Sequence, residues 1–254
     1  MKEILPVLLS AGMGIRLGNQ NQDLPKALLK INGKHLILYQ LEKLQALGFQ
    51  NVLLVVGFKQ SLIKKKIGNN FNGMSIHYVM NEKFFGSGTA YSLYKAKNFW
   101  DDDKHSILML HTDLFYDLSI LDNLLLNYKH SVLVIDKNYV NNTNDEMVVF
   151  AKNKIVYKVD KGPTDTLDAV GESLGINLFS SNFCESYFNF LEEFFLTKSN
   201  KKFHWEQTLK PFLEKNAQCP LKYIGIKKKL WININYSADL KYARSTIFDN
   251  LSNV

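Results

Sequence analysis

At 254 residues and 46% hydrophobic, the chain can bury a large core and form one large domain. Its formal charge of +7 favours anionic partners, but outside Lys64-Lys65-Lys66, Lys201-Lys202 and Lys227-Lys228-Lys229 the cations are dispersed and lack aromatic interleaving, which favours small phosphate-bearing molecules over nucleic acid. Cys184 and Cys219 are too few for a disulfide framework or a metal quartet, the apolar run 4–9 is too short for a signal-peptide core, and no stretch approaches the roughly twenty apolar residues of a membrane span, so a cytoplasmic protein without a membrane partner is expected.

In chain order, residues 4–9 read as a strand, 36–47 as a helix stopping at Gly48, and 51–56 as a second strand of Leu and Val. A helix over 60–67, a strand over 75–80, a helix over 89–99, a strand over 106–110, a helix over 118–128 and a strand over 131–135 follow. This alternation predicts an α/β fold with a mostly parallel, doubly wound sheet, helices on both faces and ligands beyond the carboxyl ends of the strands. The second half changes character. Residues 147–150 and 154–159 read as a hairpin joined by Lys152-Asn153, and 172–179 as a further strand. Helices over 182–196 and 205–214, short strands over 221–225 and 231–234, and a helix from Ser237 complete the chain. Residues 138–145, with four Asn, are the best candidate for a flexible loop.

The most specific stretch follows the first strand: Leu9-Ser10-Ala11-Gly12-Met13-Gly14-Ile15-Arg16-Leu17, then Leu24-Pro25-Lys26-Ala27-Leu28. Backbone N–H groups at glycine approach anionic oxygens closely, and Arg16 and Lys26 bring charge to the same loop. No Gly-Lys-Ser/Thr follows, which excludes a Walker A loop, and Leu17 stands where a dinucleotide fingerprint needs its third glycine. The stretch resembles L-x-A-G-x-G-x-R-L followed by P-K-x-L, the signature of nucleotidyltransferases that couple a nucleoside triphosphate to a phosphorylated acceptor. That resemblance implies a Rossmann-like, GT-A-like fold with a smaller acceptor-binding lobe. It also implies nucleotide binding at Leu9, Ala11, Gly12 and Gly14, with Arg16 neutralising the leaving phosphates and Lys26 the α-phosphate. One domain over 1–254 is expected, 1–136 mainly binding nucleotide and 137–254 mainly binding acceptor and completing the metal site.

Mg2+ is the implied cofactor, since phosphoryl oxygens are commonly bridged to protein carboxylates by this ion. The resemblance assigns it to Asp113, after the strand 106–110, with His111 at the first position of what is elsewhere an Asp-x-Asp pair. A cap for the next turn is the alternative reading of Asp113. Trp231-Ile232-Asn233-Ile234-Asn235-Tyr236-Ser237-Ala238-Asp239-Leu240 resembles the family's late metal-completing element and makes Asn235 the second ligand; an Asx turn or helix cap is the alternative. Gly88, Thr89 and Ser92 match the place where such enzymes read the base, while a helix cap with core neighbours explains them as well.

On the acceptor side the resemblance implies Lys161 for the acceptor phosphate, and Glu172, Trp205 and Glu206 for a cationic group, as in the subgroup that makes CDP-linked products from phosphocholine or aminoalkyl phosphonates. Each also reads as surface or core. The implied function is Mg2+-dependent transfer of a nucleoside monophosphate, from CTP, to a small phosphorylated or phosphonylated amine or amino acid, with release of pyrophosphate and use in surface-glycan or lipid decoration. A sugar-1-phosphate nucleotidyltransferase and a non-catalytic nucleotide-binding regulator are the alternatives. Homo-oligomerisation is left open.

Overall fold

The computed structural model describes residues 3–17, 24–100, 105–126, 129–138, 145–162, 168–198, 201–226 and 231–247. The 139–144 part of the Asn-rich stretch, the 227–229 lysine run and residues 127–128 of the expected fourth helix lie outside these. Strand β1 (Ile4–Ser10) is buried along its whole length, as its unbroken apolar run requires when both faces are covered. It is followed by a small hairpin of β2 (Lys30–Ile31) and β3 (Lys34–His35), then α1 (Leu36–Ala46), β4 (Asn51–Val56) and α2 (Gln60–Ile67). Next come β5 (Asn70–Phe71), β6 (Met74–Met80), α3 (Thr89–Ala96), β7 (Ser106–His111), β8 (Leu114–Tyr116), α4 (Ser119–Leu125) and β9 (Ser131–Asp136). The second half supplies β10 (Met147–Lys152), β11 (Ile155–Lys161), β12 (Ala169–Phe179), α5 (Ser181–Thr197), α6 (Trp205–Lys215), β13 (Leu221–Ile226), β14 (Trp231–Asn233) and α7 (Ser237–Tyr242).

Ten strands form one sheet in the order β10-β11-β13-β9-β12-β7-β1-β4-β6-β5. The block β7-β1-β4-β6 is parallel, as the alternation predicts. The expectation of a mostly parallel sheet is corrected beyond it: β12 runs antiparallel to both β7 and β9, and β10 is antiparallel to β11 and β12. The sheet is therefore mixed. An apolar run reports that a strand is covered on both faces but not its direction, which the connections decide. Strand β14 also leaves the main sheet and pairs with β8 instead. In the hairpin, Asn153 and Lys154 both have positive φ, so these two residues form the turn, one position beyond the expected pair.

Helices α3, α5 and α6 pack a large aromatic core on one face of the sheet, and α1, α2 and α4 cover the other. A third cluster is small but well placed: Leu17, Leu29, Ile31, Phe115, Ile234 and Leu240 join the two ends of the glycine loop to β8, β14 and α7. Among the described residues no helix is long and apolar enough to cross a membrane.

Gly88 belongs to this frame. Its N–H donates to the Lys201 carbonyl at 2.8 Å, and a Cβ there would sit 2.1 Å from the Phe203 carbonyl oxygen. Gly88→Ala must therefore push residues 201–203 off the start of α3, and a loss of about 1–3 kcal/mol is expected in denaturant unfolding; wild-type stability would contradict this packing.

Candidate active site

Neighbouring parallel strands bring their carboxyl ends together. Leu9 of β1 is in register with His111 of β7, and the Thr112 hydroxyl donates to the Leu9 carbonyl at 3.0 Å. The loop after β1 and Asp113 after β7 are thereby adjacent. Gly14, at φ +66°, opens the space: a Cβ there would lie 2.9 Å from Cγ of Lys26. The Lys26 ammonium passes this gap and donates to Asp113 Oδ2 and to Asn235 Oδ1, each at 2.8 Å. Burial raises the Asp113 pKa, but the charge and hydrogen bond of Lys26 outweigh it and hold the carboxyl below its ordinary value.

Asn235 does not cap α7. The start of α7 is capped by Asp239, whose Oδ2 accepts the N–H groups of Asn235 and Tyr236 at 2.9 and 2.7 Å, leaving the Asn235 amide for Lys26 and for Arg16 at 3.0 Å. The two oxygens of Asp113 and Asn235 thus converge on one cationic point. Such a donor pair fits a hard divalent ion that draws its other ligands from water and substrate phosphates. Among the described residues no group of three His, Cys, Asp or Glu forms a closed metal cage.

Arg16 also pairs with Asp145, which accepts from Lys161 at 2.5 Å and from the Tyr236 hydroxyl at 2.9 Å. The Lys161 hydrogen bond, against some desolvation, draws the Asp145 carboxyl down to about 2, with help from Tyr236 and Arg16. One carboxylate therefore ties the glycine loop, β11 and the approach to α7 together.

Two cavities meet here. The smaller, about 90 Å3, is lined by Leu9, Gly12, Lys26, Thr89, His111 and Asp113 among others. The larger, about 530 Å3, has walls that include Arg16, Asp113, Asn235, Lys161, Glu172 and Glu206. Thr89, His111 and Asp113 line both. The volume of the larger is in the range that holds a small-molecule ligand.

Several candidates stand elsewhere. Ala11 and Ser92 are buried and line neither cavity; the Ala11 carbonyl accepts from Phe58 N–H, and Ser92 Oγ accepts from Asn81. Gly14 and Gly88 shape their surroundings without facing either space. Trp205 is the main correction. It is 0% exposed in the aromatic core, and its indole N–H donates to His111 Nε2 at 3.1 Å. The aromatic wall of the large cavity comes from Trp231, Tyr236 and Tyr242.

Glu206, beside Trp205, does face the cavity although it is only 4% exposed, and its Oε2 has no hydrogen-bond partner among the described residues. Burial pushes its pKa up to about 8 against a hydrogen bond from its own backbone N–H, and nearby Asp113 adds to the rise. Asp145, Tyr236 and His204 also line the large cavity without having been singled out in the sequence. Asp145 ends the Asn-rich loop, where nothing local distinguishes it from a solvated residue; its partner Arg16 is 129 positions away.

The chain is 22% identical over 252 residues to the CTP:phosphoglutamine cytidylyltransferase of Campylobacter jejuni, covering 92% of this chain and 97% of that one. It is 32% identical over 118 residues to the CMP-5'-(3-aminopropyl)phosphonate synthase of Streptomyces rubellomurinus, which covers 46% of this chain but 18% of that protein's length. In fold it is similar to the inositol-1-phosphate CTP transferase from T. maritima, with a TM-score of 0.75, 20% identity and coverage of 98% of this chain and 94% of that one. Residues 6–165, from β1 through the end of β11, match the MobA-like NTP transferase domain, and the chain belongs to that family.

Proposed function

We propose that this chain transfers CMP from CTP to a small phosphorylated or phosphonylated amine or amino acid. An anionic oxygen of the acceptor attacks the α-phosphorus; a new O–P bond forms, the bond to the bridging oxygen breaks, and pyrophosphate departs with its electron pair. No protein nucleophile is needed, so positioning and charge neutralisation carry the catalysis. The nucleotide is assigned to the small cavity and its mouth, formed mainly by residues 1–136, and the acceptor to the large cavity, to which residues 137–254 contribute most. Arg16 meets the leaving phosphates by exchanging Asp145 for them, and Lys26 meets the α-phosphate. Mg2+ held by Asp113 and Asn235 would neutralise and orient the nucleotide phosphates when bound.

The observation that carries the acceptor assignment is the Glu206 carboxyl, buried at the cavity wall with one oxygen unpartnered among the described residues. An unpaired buried charge is costly, and a bound ammonium is the partner that removes the cost. With Lys161 on the same cavity, phosphate and ammonium would be held at separate points. Two of the curated relatives carry CMP or CTP in their names, which supports CTP as the donor.

Pyrophosphate release from CTP, UTP, dTTP and GTP against phosphorylated amines, amino acids and hexose 1-phosphates tests the reading. CTP with an aminated acceptor should be fastest; a faster hexose 1-phosphate with another nucleotide would replace it with the sugar reading. Glu206→Gln should raise the acceptor KM roughly ten- to a hundredfold while leaving the CTP KM nearly unchanged. In the wild type that KM should fall as pH rises toward about 8, because the carboxyl must ionise to pair an ammonium.

The same group gives a stability signature. Between its ordinary 4.5 and about 8 the unfolded chain loses the Glu206 proton while the folded chain keeps it, so this residue costs stability increasingly as pH rises through that window. Glu206→Gln should therefore gain thermal stability over the wild type between pH 5 and 8 (roughly the linkage window), and a constant difference across it would contradict the buried acid.

Arg16→Ala and Lys26→Ala should each lose about 2–4 kcal/mol of transition-state stabilisation in kcat/KM, and Arg16→Lys should also be impaired because an ammonium lacks the bidentate fork. Asp113→Asn should be inactive and Asn235→Asp tolerated, with activity abolished by EDTA; full turnover in excess chelator would refute the metal assignment.

A further inference from the structure

We propose that His111, locked by Trp205 as its Nδ1–H tautomer, donates a neutral hydrogen bond to an oxygen of the transferring phosphoryl group at the junction of the two cavities. The inference rests on the transfer reaction above and adds a residue to it. An indole nitrogen only donates, so the 3.1 Å contact from Trp205 Nε1 requires a lone pair on His111 Nε2. An imidazole with a lone pair on Nε2 is neutral and carries its proton on Nδ1. The indole is fully buried and packed edge-on against Phe179 with ring centroids 5.9 Å apart, and its second acceptor is the neighbouring Glu206 carboxyl.

The backbone of His111 is equally fixed, its carbonyl accepting from the Gln40 amide at 2.9 Å. Space is kept beside the ring by Gly175, at φ +75°, where a Cβ would stand 3.1 Å from Nδ1. No described residue accepts a hydrogen bond from Nδ1. His111 nevertheless lines both cavities together with Thr89 and Asp113, so the polar atom it offers to the junction is the Nδ1–H. Preorganised donors aimed at developing charge are what phosphoryl transfer needs, and a neutral one leaves the charge balance between Lys26 and Asp113 intact. Trp205 in this account is a positioning residue acting through His111.

Two measurements on the full chain test this. Nitrogen-15 NMR of labelled histidine should show His111 as a single Nδ1–H tautomer, with its Nδ1 signal moving when CTP and Mg2+ are added; Trp205→Phe, verified as folded by circular dichroism, should release a mixture of tautomers. In kinetics, His111→Leu should lower kcat roughly a hundredfold with only small changes in KM for CTP and acceptor. His111→Asn, whose Nδ2 lies the same number of bonds from Cβ as Nδ1, should recover most of that loss. An Nε2–H or doubly protonated ring, or a His111→Leu enzyme with wild-type kcat, would overturn the proposal while leaving the transferase reading intact. A wild type that releases no pyrophosphate with any pairing would overturn the transferase reading and the role at phosphoryl oxygen with it, and the NMR result would then stand only for the tautomer.

Discussion

The Lys26 ammonium, held between Asp113 and Asn235 at 2.8 Å from each, is the interaction on which the organisation of the site depends. It joins three segments separated by 87 and 209 positions, and each reaches it for a different reason. Asp113 arrives because β7 pairs in parallel with β1. Asn235 arrives because β14 pairs with β8 and the Ile234 N–H donates to the Asp113 carbonyl at 2.8 Å. Lys26 arrives through the gap left by Gly14, on a loop anchored by the small cluster containing Leu17, Leu29 and Ile234. A partly buried charge without a partner is expensive, so the convergence holds only while all three segments are docked.

The site is close to self-neutralising around Asp145 and Asp113 and carries a buried acid at Glu206. Arg16 and Lys161 share Asp145, and Lys26 has Asp113, so the cations that would meet phosphate are already paired with carboxylates. The Glu206 carboxyl, with no ion-pair partner among the described residues, answers its burial by keeping a proton. The wall of the large cavity thus carries both paired cations, Arg16 and Lys161, and one buried acid, Glu206.

Residues that looked like ligand-binding chemistry turn out to be its supports. Trp205 carries no cavity wall but fixes the ring of His111; Gly88 offers no free N–H but seats residues 201–203 on α3; Ser92 anchors the preceding loop through Asn81. All three are buried or backbone-paired, and a site made of loops at the ends of strands needs such fixed points to keep its charges aligned.

The amino-acid sequence by itself determined the parallel block β7-β1-β4-β6, because apolar runs and helical periods alternate there, and it placed Arg16, Lys26 and Asp113 at the carboxyl ends of β1 and β7. Those features are local: a glycine turn after a strand, or a carboxylate after an apolar run, is written within a few neighbouring residues. The direction of β12, the pairing of β14 with β8, the burial of Trp205 and the partnership of Asp145 with Arg16 were decided only by the tertiary structure. Tryptophan and aspartate have the same formula inside a core or on a wall, and what separates the two outcomes is the packing and desolvation supplied by segments distant in the chain.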